Sequence, residues 1–233
     1  MQREEYIEKI LQAYSVVGVL SRKNGCEVLR LRNKKSGKDL VLRSFPKTLV
    51  AYEKLQNIRC ANLPEIYDVL QMDDGQIILE EYIDGITVAQ VMEIERYRPA
   101  GARTVLKNVC DALTVLHDRG IIHRDIKPEN VMVEKSGRVV LIDLNASRVE
   151  SNTKKDTVIL GTVGYAPPEQ LGLSQTDART DIYAAGVLYN VMLTGQHPSV
   201  AIASAKAGRV VRKCTAVNPK ERYQTATELW SAL

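Results

Sequence analysis

Cysteine is scarce in this chain of 233 residues, which contains only four. They lie far apart, without any CxxC pair, at Cys26, Cys60, Cys110 and Cys214. This spacing argues against both a disulfide framework and a zinc site. It indicates a reducing compartment, and we expect a cytoplasmic protein.

The sequence also lacks a long apolar run and a strong excess of charge. No stretch approaches the roughly 20 apolar residues of a membrane span. The charged, amphipathic segment MQREEYIEKILQAY lacks the apolar core and the small-residue cleavage site of a signal peptide. The formal net charge is +4, with lysine and arginine interleaved among acidic residues. We therefore expect no membrane span within this chain and no nucleic-acid partner.

The pattern of apolar and polar residues changes once along the chain. From about Tyr14 to Tyr82 short alternating segments are separated by turn residues, with one helix-like stretch, TLVAYEKLQNIRC. Beyond DGITVAQVM the pattern is mainly helical, and in ARTVLKNVCDALTVLHDRG the apolar residues share one face up to Gly120. The sequence thus predicts antiparallel hairpins with one helix, followed by a mainly helical half.

A dense polar segment lies between two apolar runs in the second half. IIHRDIKPENVMV carries Asp125, Lys127 and Asn130, and GRVVLIDLNAS places Asp143 directly after a strand-like run. A tight turn between the two runs would pair them as a hairpin. Such a hairpin would return Asp143 beside Asn130.

These four residues suit one kind of chemistry. Asp143 and Asn130 offer oxygen ligands to Mg²⁺, which shares its coordination shell with substrate phosphates. Asp125 would accept a proton from an attacking hydroxyl group, and Lys127 would balance charge on a transferring phosphoryl group. The set indicates phosphoryl transfer, whereas isolated Asp and Asn residues are more often capping or turn residues.

The segment HRDIKPEN resembles the catalytic loop of eukaryotic-type (Hanks-type) serine/threonine protein kinases, whose pattern is H-R-D-x-K-P-x-N. The resemblance implies an α+β, two-lobed fold, with a small antiparallel N-lobe containing one helix and a mainly helical C-lobe. It also implies a single kinase-like domain over residues 1–233, with the N-lobe at about 1–82 and the C-lobe at 83–233. ATP and Mg²⁺ would bind between the lobes, and the substrate would be a protein.

The same resemblance assigns roles to the polar residues. Asp125 would be the catalytic base, Lys127 the phosphate-balancing cation of serine/threonine kinases, and Asn130 and Asp143 the metal ligands. His123 would pack rather than react.

Further segments resemble the family in its order along the chain. GTVGYAPPEQ resembles the substrate-docking segment, with Thr162 near the catalytic Asp and Glu169 as its closing acid. TDIYAAGVLYNVMLTG resembles the helix whose Asp181 braces the catalytic loop, and NPKERY offers Arg222 as the partner of Glu169.

The resemblance also assigns nucleotide contacts. IILEEYIDG resembles the hinge strand, so that backbone groups of Glu81 and Ile83 would meet adenine and Glu80 would occupy the gatekeeper position. The apolar residues expected around the base are Val28, Val41 and Met132.

Three departures from the family pattern concern the phosphates and the metal. LSRKNGCEV puts Ser21, Lys23 and Cys26 where the nucleotide-covering loop has glycines, so the loop should grip the triphosphate differently. Arg43 replaces the family's strand lysine, with Glu53 in VAYEKL as its expected acidic partner on the helix. The third departure is DLN in place of DFG.

Lys23 offers a second source for the missing ammonium group. In that alternative the altered loop, rather than Arg43, would supply the cation to the phosphates.

The sequence leaves three functional interpretations, which we rank in this order: an active serine/threonine kinase, a pseudokinase acting as a nucleotide-binding or scaffold module, and a kinase-fold enzyme for a small molecule. Arg124 next to the catalytic Asp also suggests control by phosphate on Ser151, Thr153 or Thr157.

Overall fold

Two compact units make up the chain. The computed structural model describes residues 3–23, 25–149, 164–171 and 175–233. The first unit extends to Arg59 and continues over Pro64–Ile83; the second consists of Cys60–Leu63 and the chain from Asp84 onward.

The first unit is a five-stranded antiparallel sheet with two helices. Its helices are α1 (Arg3–Ala13) and α2 (Val50–Leu55), and its strands are β1 (Tyr14–Lys23), β2 (Cys26–Asn33), β3 (Asp39–Phe45), β4 (Ile66–Met72) and β5 (Gly75–Glu81). The strand order is β1-β2-β3-β5-β4. This confirms the hairpins expected from the alternating pattern.

One face of this sheet forms an apolar core, because alternate residues of a strand point to the same side. The cluster of buried side chains consists of Tyr6, Leu31, Leu40, Leu42, Met72, Ile77 and Leu79. Tyr6 is on α1, and Ile10 of the same helix packs against the cluster. Helix α1 therefore covers this face through the apolar stripe seen in its sequence.

The turn between β4 and β5 requires glycine. Gly75 has a φ of 143°, and a Cβ there would overlap the carbonyl oxygen of Phe45. Because a side chain fits neither the backbone angle nor the space, this position fixes where β5 starts and hence its register with β3.

Helix α2 is shorter than the stretch TLVAYEKLQNIRC predicted. It ends at Leu55, and Asn57 adopts a left-handed φ of 66°. A helix cannot continue through that conformation, and asparagine tolerates it better than most residues.

The second unit holds the remaining elements. Its strands are β6 (Gly85–Thr87), β7 (Ile121–Ile122), β8 (Val131–Glu134), β9 (Val139–Leu141) and β10 (Arg148–Val149), and its α-helices are α3 (Val88–Ile94), α4 (Pro99–His117), α5 (Ala178–Thr194), α6 (Ala205–Cys214) and α7 (Ala226–Ala232). Single 3₁₀ turns occupy Pro128–Asn130, Pro168–Leu171 and Pro219–Glu221. The predicted helical texture of this half is confirmed.

Helix α4 follows its sequence pattern closely. Proline at its first position suits a helix start, and Gly120 with a φ of 65° lies just beyond its end. The face predicted to be apolar is buried, namely Val105, Val109, Ala112, Leu113 and Leu116. This helix packs against α5 and α7.

A contiguous division at residue 82 misses the segment Cys60–Leu63, which belongs to the second unit. Asn62 donates from Nδ2 to Asn108 Oδ1 on α4 at 2.7 Å and to the carbonyl oxygen of Val139 at 2.8 Å. Leu141 in turn donates its N–H to the carbonyl oxygen of Asn62. These bonds tie the segment to α4 and β9, a tertiary effect that local sequence texture does not record.

No helix in the described ranges is long and apolar enough to cross a membrane. All four cysteines are free thiols, and Cys110 and Cys214 are buried.

Candidate active site

Three of the predicted site residues meet at one carboxylate. Asp125 lies between β7 and β8, and its Oδ2 atom is 2.8 Å from Lys127 Nζ and 2.8 Å from Asn130 Nδ2. Asn130 Nδ2 also donates to the backbone oxygen of Asp125 at 2.7 Å. The cation and the amide thus both contact the same carboxylate oxygen of Asp125.

The predicted hairpin brings Asp143 to the same place. Strands β8 and β9 are antiparallel, with Val131 opposite Leu141. The pairing continues one step further, because Ile142 donates its N–H to the carbonyl oxygen of Asn130 at 2.9 Å. Asp143, the next residue, therefore follows the end of the hairpin beside Asn130.

The backbone at Asp143 is in the left-handed region, with a φ of 70°. Its carboxylate oxygen Oδ1 accepts from the N–H of Asn145 at 3.2 Å. This local bond helps stabilise a conformation that a non-glycine residue rarely adopts.

A buried aspartate accepts hydrogen bonds from the backbone of the segment HRDIKPEN, which resembles the family's catalytic loop. Asp181, at the start of α5 and fully buried, accepts from the N–H of His123 at 2.9 Å and from the N–H of Arg124 at 2.8 Å. His117 Nε2 lies 2.8 Å from the same carboxylate. Because Arg124 has a φ of 65°, these bonds stabilise a strained residue immediately before Asp125.

His123 has the packing role expected for it. Its ring is fully buried, Nε2 lies 3.2 Å from the carbonyl oxygen of Ile142, and Nδ1 accepts from the N–H of Asp125 at 3.3 Å. Since Nδ1 is an acceptor, the proton of the neutral ring resides on Nε2. His123 thereby links the catalytic loop to the strand that leads into Asp143.

The donor chemistry at Asn130 and Asp143 fits Mg²⁺. The amide nitrogen of Asn130 is used by Asp125, so the amide oxygen is the atom left for a metal. Asp143 adds a carboxylate, and Mg²⁺ is usually held by one or two such side chains together with substrate phosphates.

The acid Glu169 is paired with Arg222, as the family resemblance implied. Arg222 Nη2 donates to Glu169 Oε2 at 3.0 Å and Nη1 donates to Oε1 at 2.5 Å, with both residues buried. The guanidinium also donates to the carbonyl oxygens of Arg179 and Ala216. This bidentate pair connects the segment before α5 to the segment before α7.

One buried polar contact on the catalytic loop was not predicted. Gln170 donates from Nε2 to the carbonyl oxygen of Arg124 at 2.7 Å and is itself buried. The only sequence signal for it was its place directly after Glu169 in APPEQ.

In the first unit, the residues assigned to the nucleotide share one face of the sheet. Strand pairing places Val28 opposite Arg43, and Val41 opposite Glu80. Directly opposite residues in an antiparallel pair point to the same side, as do residues two apart on one strand. This face, opposite the apolar core under α1, therefore carries all four side chains.

The predicted pairing of Arg43 with Glu53 is wrong. Arg43 Nε donates to Glu80 Oε1 at 2.5 Å, and the two side chains are only 10% and 4% exposed. Glu53 is exposed on α2 and accepts from Gln76 Nε2 at 3.3 Å. The acid that holds Arg43 comes from the neighbouring strand because β3 and β5 pair in a register that sets Glu80 diagonally across from Arg43.

The hinge residues end the first unit. The N–H of Glu81 donates to the carbonyl oxygen of Glu65 at 2.9 Å, so an adenine contact by Glu81 has to be made by its carbonyl group. Ile83 is buried. Met132 belongs to the second unit, on β8, where it is partly exposed and pairs with Thr87 and Val140.

Several predicted positions lie outside the described residues. Ser151, Thr153, Thr157 and Thr162 all fall within residues 150–163. Arg124, their proposed phosphate partner, donates from Nε to the carbonyl oxygen of Ala146 at 2.8 Å. Lys23 is exposed at the end of β1.

The family model described as the protein kinase domain matches residues 24–232. The serine/threonine-protein kinase PknB of Mycolicibacterium smegmatis is 31% identical over 75% of this chain and 33% of its own length. The probable serine/threonine-protein kinase PknB of Lactococcus lactis is 32% identical over 72% of this chain and 27% of its own.

A third relative covers more of the chain. The serine/threonine-protein kinase D of Synechocystis is 27% identical over 86% of this chain and 44% of its own length. The chain thus spans between about a quarter and a half of the length of these curated relatives.

Proposed function

Because the chain belongs to the protein kinase domain family, we propose that it transfers the terminal phosphoryl group of ATP to serine or threonine residues of a protein substrate. The relatives named as serine/threonine-protein kinases support this reaction class. The substrate is a protein by the same reasoning.

The observation that carries the proposal is the arrangement around Asp125. Lys127 and Asn130 each contact its Oδ2 atom at 2.8 Å, and these contacts fix the orientation of the carboxylate. An ionised carboxylate has further lone pairs and can still accept a proton or a hydrogen bond. We assign Asp125 to accept the proton of the attacking hydroxyl group. Lys127, already beside this carboxylate, would offset charge on the transferring phosphoryl group.

Asn130 and Asp143 would hold Mg²⁺ through one amide oxygen and one carboxylate. When bound, the ion neutralises charge on the phosphates. The residues of the chain supply its ligands and fix their separation through the β8–β9 hairpin and the Ile142 to Asn130 hydrogen bond.

The first unit would contribute contacts to the nucleotide. We assign Val28 and Val41 to the adenine ring. The carbonyl of Glu81 and the N–H of Ile83 would recognise the edge of the base. Arg43, on the same sheet face as Val28 and Val41, would contact the phosphates.

A scaffold that only binds nucleotide has less support. A module of that kind has no need for Lys127 and Asn130 to contact the carboxylate of Asp125, or for Asp181 to hold the backbone before it, and these bonds are present. The four free cysteines support a reducing compartment, and we place the domain in the cytoplasm.

A phosphorylation assay tests the proposal. The purified chain is incubated with radiolabelled ATP, Mg²⁺ and a generic basic protein, beside the variants Asp143→Ala and Asp125→Asn. We expect transfer to serine or threonine, reduced about 100-fold or more by each variant. Nucleotide binding without transfer in the unchanged chain would replace the kinase by the nucleotide-binding scaffold.

A further inference from the structure

The buried ion pair between Arg43 and Glu80 is built entirely within the sheet of the first unit. Arg43 lies on β3 opposite Ile78, and Glu80 lies two residues further along β5. On one face of an antiparallel pair, such diagonal neighbours are within reach of long side chains. The short Nε to Oε1 distance of 2.5 Å and the near-complete burial make this a fixed contact.

Burial makes the two charges depend on each other. An isolated charged group loses its hydration when it leaves water, so a buried carboxylate requires a cation and hydrogen-bond donors nearby. Val41 lies directly opposite Glu80 and Val28 directly opposite Arg43, so apolar neighbours adjoin the pair on this face. Glu80 therefore restricts the positions available to the Arg43 guanidinium.

Helix α2 has a different attachment. Its acid Glu53 is exposed and accepts a hydrogen bond from the neutral side chain of Gln76. Gln76 is fully buried, and its Oε1 atom accepts from the N–H of Leu49, just before the helix. The side-chain amide of Gln76 on β5 thus contacts both the start of helix α2 and its acid Glu53.

We propose that Glu80 is the positioning residue for Arg43, in place of a helix acid, so that the phosphate-binding cation is aligned by the sheet and does not depend on helix α2. In protein kinases generally, a strand lysine pairs with a helix glutamate, and moving that helix controls activity. Here the charge partner is on an adjacent strand, which cannot move away without breaking the sheet. This inference rests on the proposed function, since it concerns the cation assigned to ATP.

The opposite role for the same contact is inhibition, in which Glu80 would withhold Arg43 from the phosphates. The two roles predict opposite signs. If Glu80 positions Arg43, Glu80→Gln should lower the nucleotide affinity and the kcat/KM for ATP. If Glu80 is inhibitory, the same substitution should raise both.

The test compares two substitutions of the same chemistry, Glu80→Gln and Glu53→Gln. The affinity for a fluorescent ATP analogue with Mg²⁺ is measured first, followed by kcat and KM for ATP. We expect Glu80→Gln to lower kcat/KM by about 10- to 100-fold, because displacements of about 1 Å in a phosphate-binding group have effects of that order. Glu53→Gln should change it by less than about threefold, because Glu53 is exposed and accepts its hydrogen bond from the neutral side chain of Gln76.

A double-mutant cycle separates positioning from general damage to the sheet. In an Arg43→Met background, Glu80→Gln should cause no further loss of nucleotide affinity, because the group it positions is gone. A role limited to sheet stability would instead lower the melting temperature of Glu80→Gln and leave the nucleotide affinity of the folded protein unchanged, and this result would overturn the proposal. The melting temperatures of all variants, recorded alongside, ensure that only folded protein is compared.

Two other results would also overturn it: an equal or larger effect of Glu53→Gln, or stronger nucleotide use by Glu80→Gln. Affinity is measured without turnover, so the cycle remains interpretable even if the unchanged chain transfers no phosphate. Absence of transfer would then contradict the kinase function alone.

Discussion

Replacing Asp181 with asparagine tests the brace beneath the catalytic loop. The carboxylate accepts from the N–H groups of His123 and Arg124 at 2.9 and 2.8 Å, and His117 Nε2 lies 2.8 Å away. Asparagine keeps one acceptor oxygen but replaces the other by an amino group. Whichever way the amide is turned, a donor then faces a donor.

The magnitude follows from these contacts. One hydrogen bond to a charged group contributes about 1.5–3 kcal/mol, and a buried donor left unsatisfied costs about 1–3 kcal/mol. We therefore expect Asp181→Asn to lower the free energy of unfolding by about 3–5 kcal/mol, a large share of the roughly 5–15 kcal/mol typical of a folded protein. Activity should fall further than the folded fraction, since Arg124 loses the bond that holds it in the left-handed region before Asp125.

Urea unfolding followed by circular dichroism measures the stability, and the phosphorylation assay is run on the folded variant. The matched control is Asp177→Asn, an aspartate-to-asparagine change at the N-cap of the same helix α5. Asparagine caps helices as well as aspartate, so only the partly exposed ion pair with Arg179 is lost, and we expect less than about 1 kcal/mol. Equal losses in the two variants would refute the brace.

Two further predictions concern stability. Hydrogen bonding from Arg32 lowers the pKa of Asp39 to about 2, so its ion pair should stabilise the fold at neutral pH and lose that effect as pH falls from about 4 toward 2. The difference in melting temperature between the unchanged protein and Asp39→Asn should therefore become smaller from pH 7 to pH 3. A difference that stays constant would contradict this assignment. Gly186→Ala should lower the free energy of unfolding in urea by about 1–3 kcal/mol, because the new Cβ would overlap that of Cys214 where α5 meets α6. The control is Gly101→Ala on α4, whose Cβ would lie 3.5 Å from its nearest neighbour, and this variant should be as stable as the unchanged protein or more stable. Equal losses of stability in the two variants would refute the packing argument.

Local features of the sequence were sufficient to predict many of the strands and helices. The segment DLVLRSF is β3 over its full length, since a short apolar run directly after the turn at Ser36-Gly37 defines it without help from distant residues. The hairpin of β8 and β9 follows from two apolar runs joined by a turn with Gly137 at a φ of 86°. That hairpin alone was enough to predict Asp143 beside Asn130.

The partner of Arg43 needed information that the sequence does not carry locally. Glu80 and Glu81 are adjacent, and which of them shares a face with Arg43 depends on the register of β3 against β5. Gly75, the first residue of β5, contributes to that register through its close approach to the carbonyl oxygen of Phe45 on β3, whereas the glutamates do not determine it. A shift of one residue would have presented Glu81 instead.

Resemblance to the family predicted one distant pair correctly and another incorrectly, and the residue types explain the difference. Glu169 and Arg222 are the family's own residue types, and the expected bidentate contact is present. At the strand position the family has lysine, whose single ammonium group ends a flexible chain, whereas Arg43 carries a planar group with several donors, including Nε close to the stem. A donor so near the stem reaches a carboxylate on the adjacent strand, and it is this Nε that contacts Glu80. Arginine at this position thus pairs with an acid on the adjacent strand, a contact that the family pattern of a strand lysine and a helix acid does not predict.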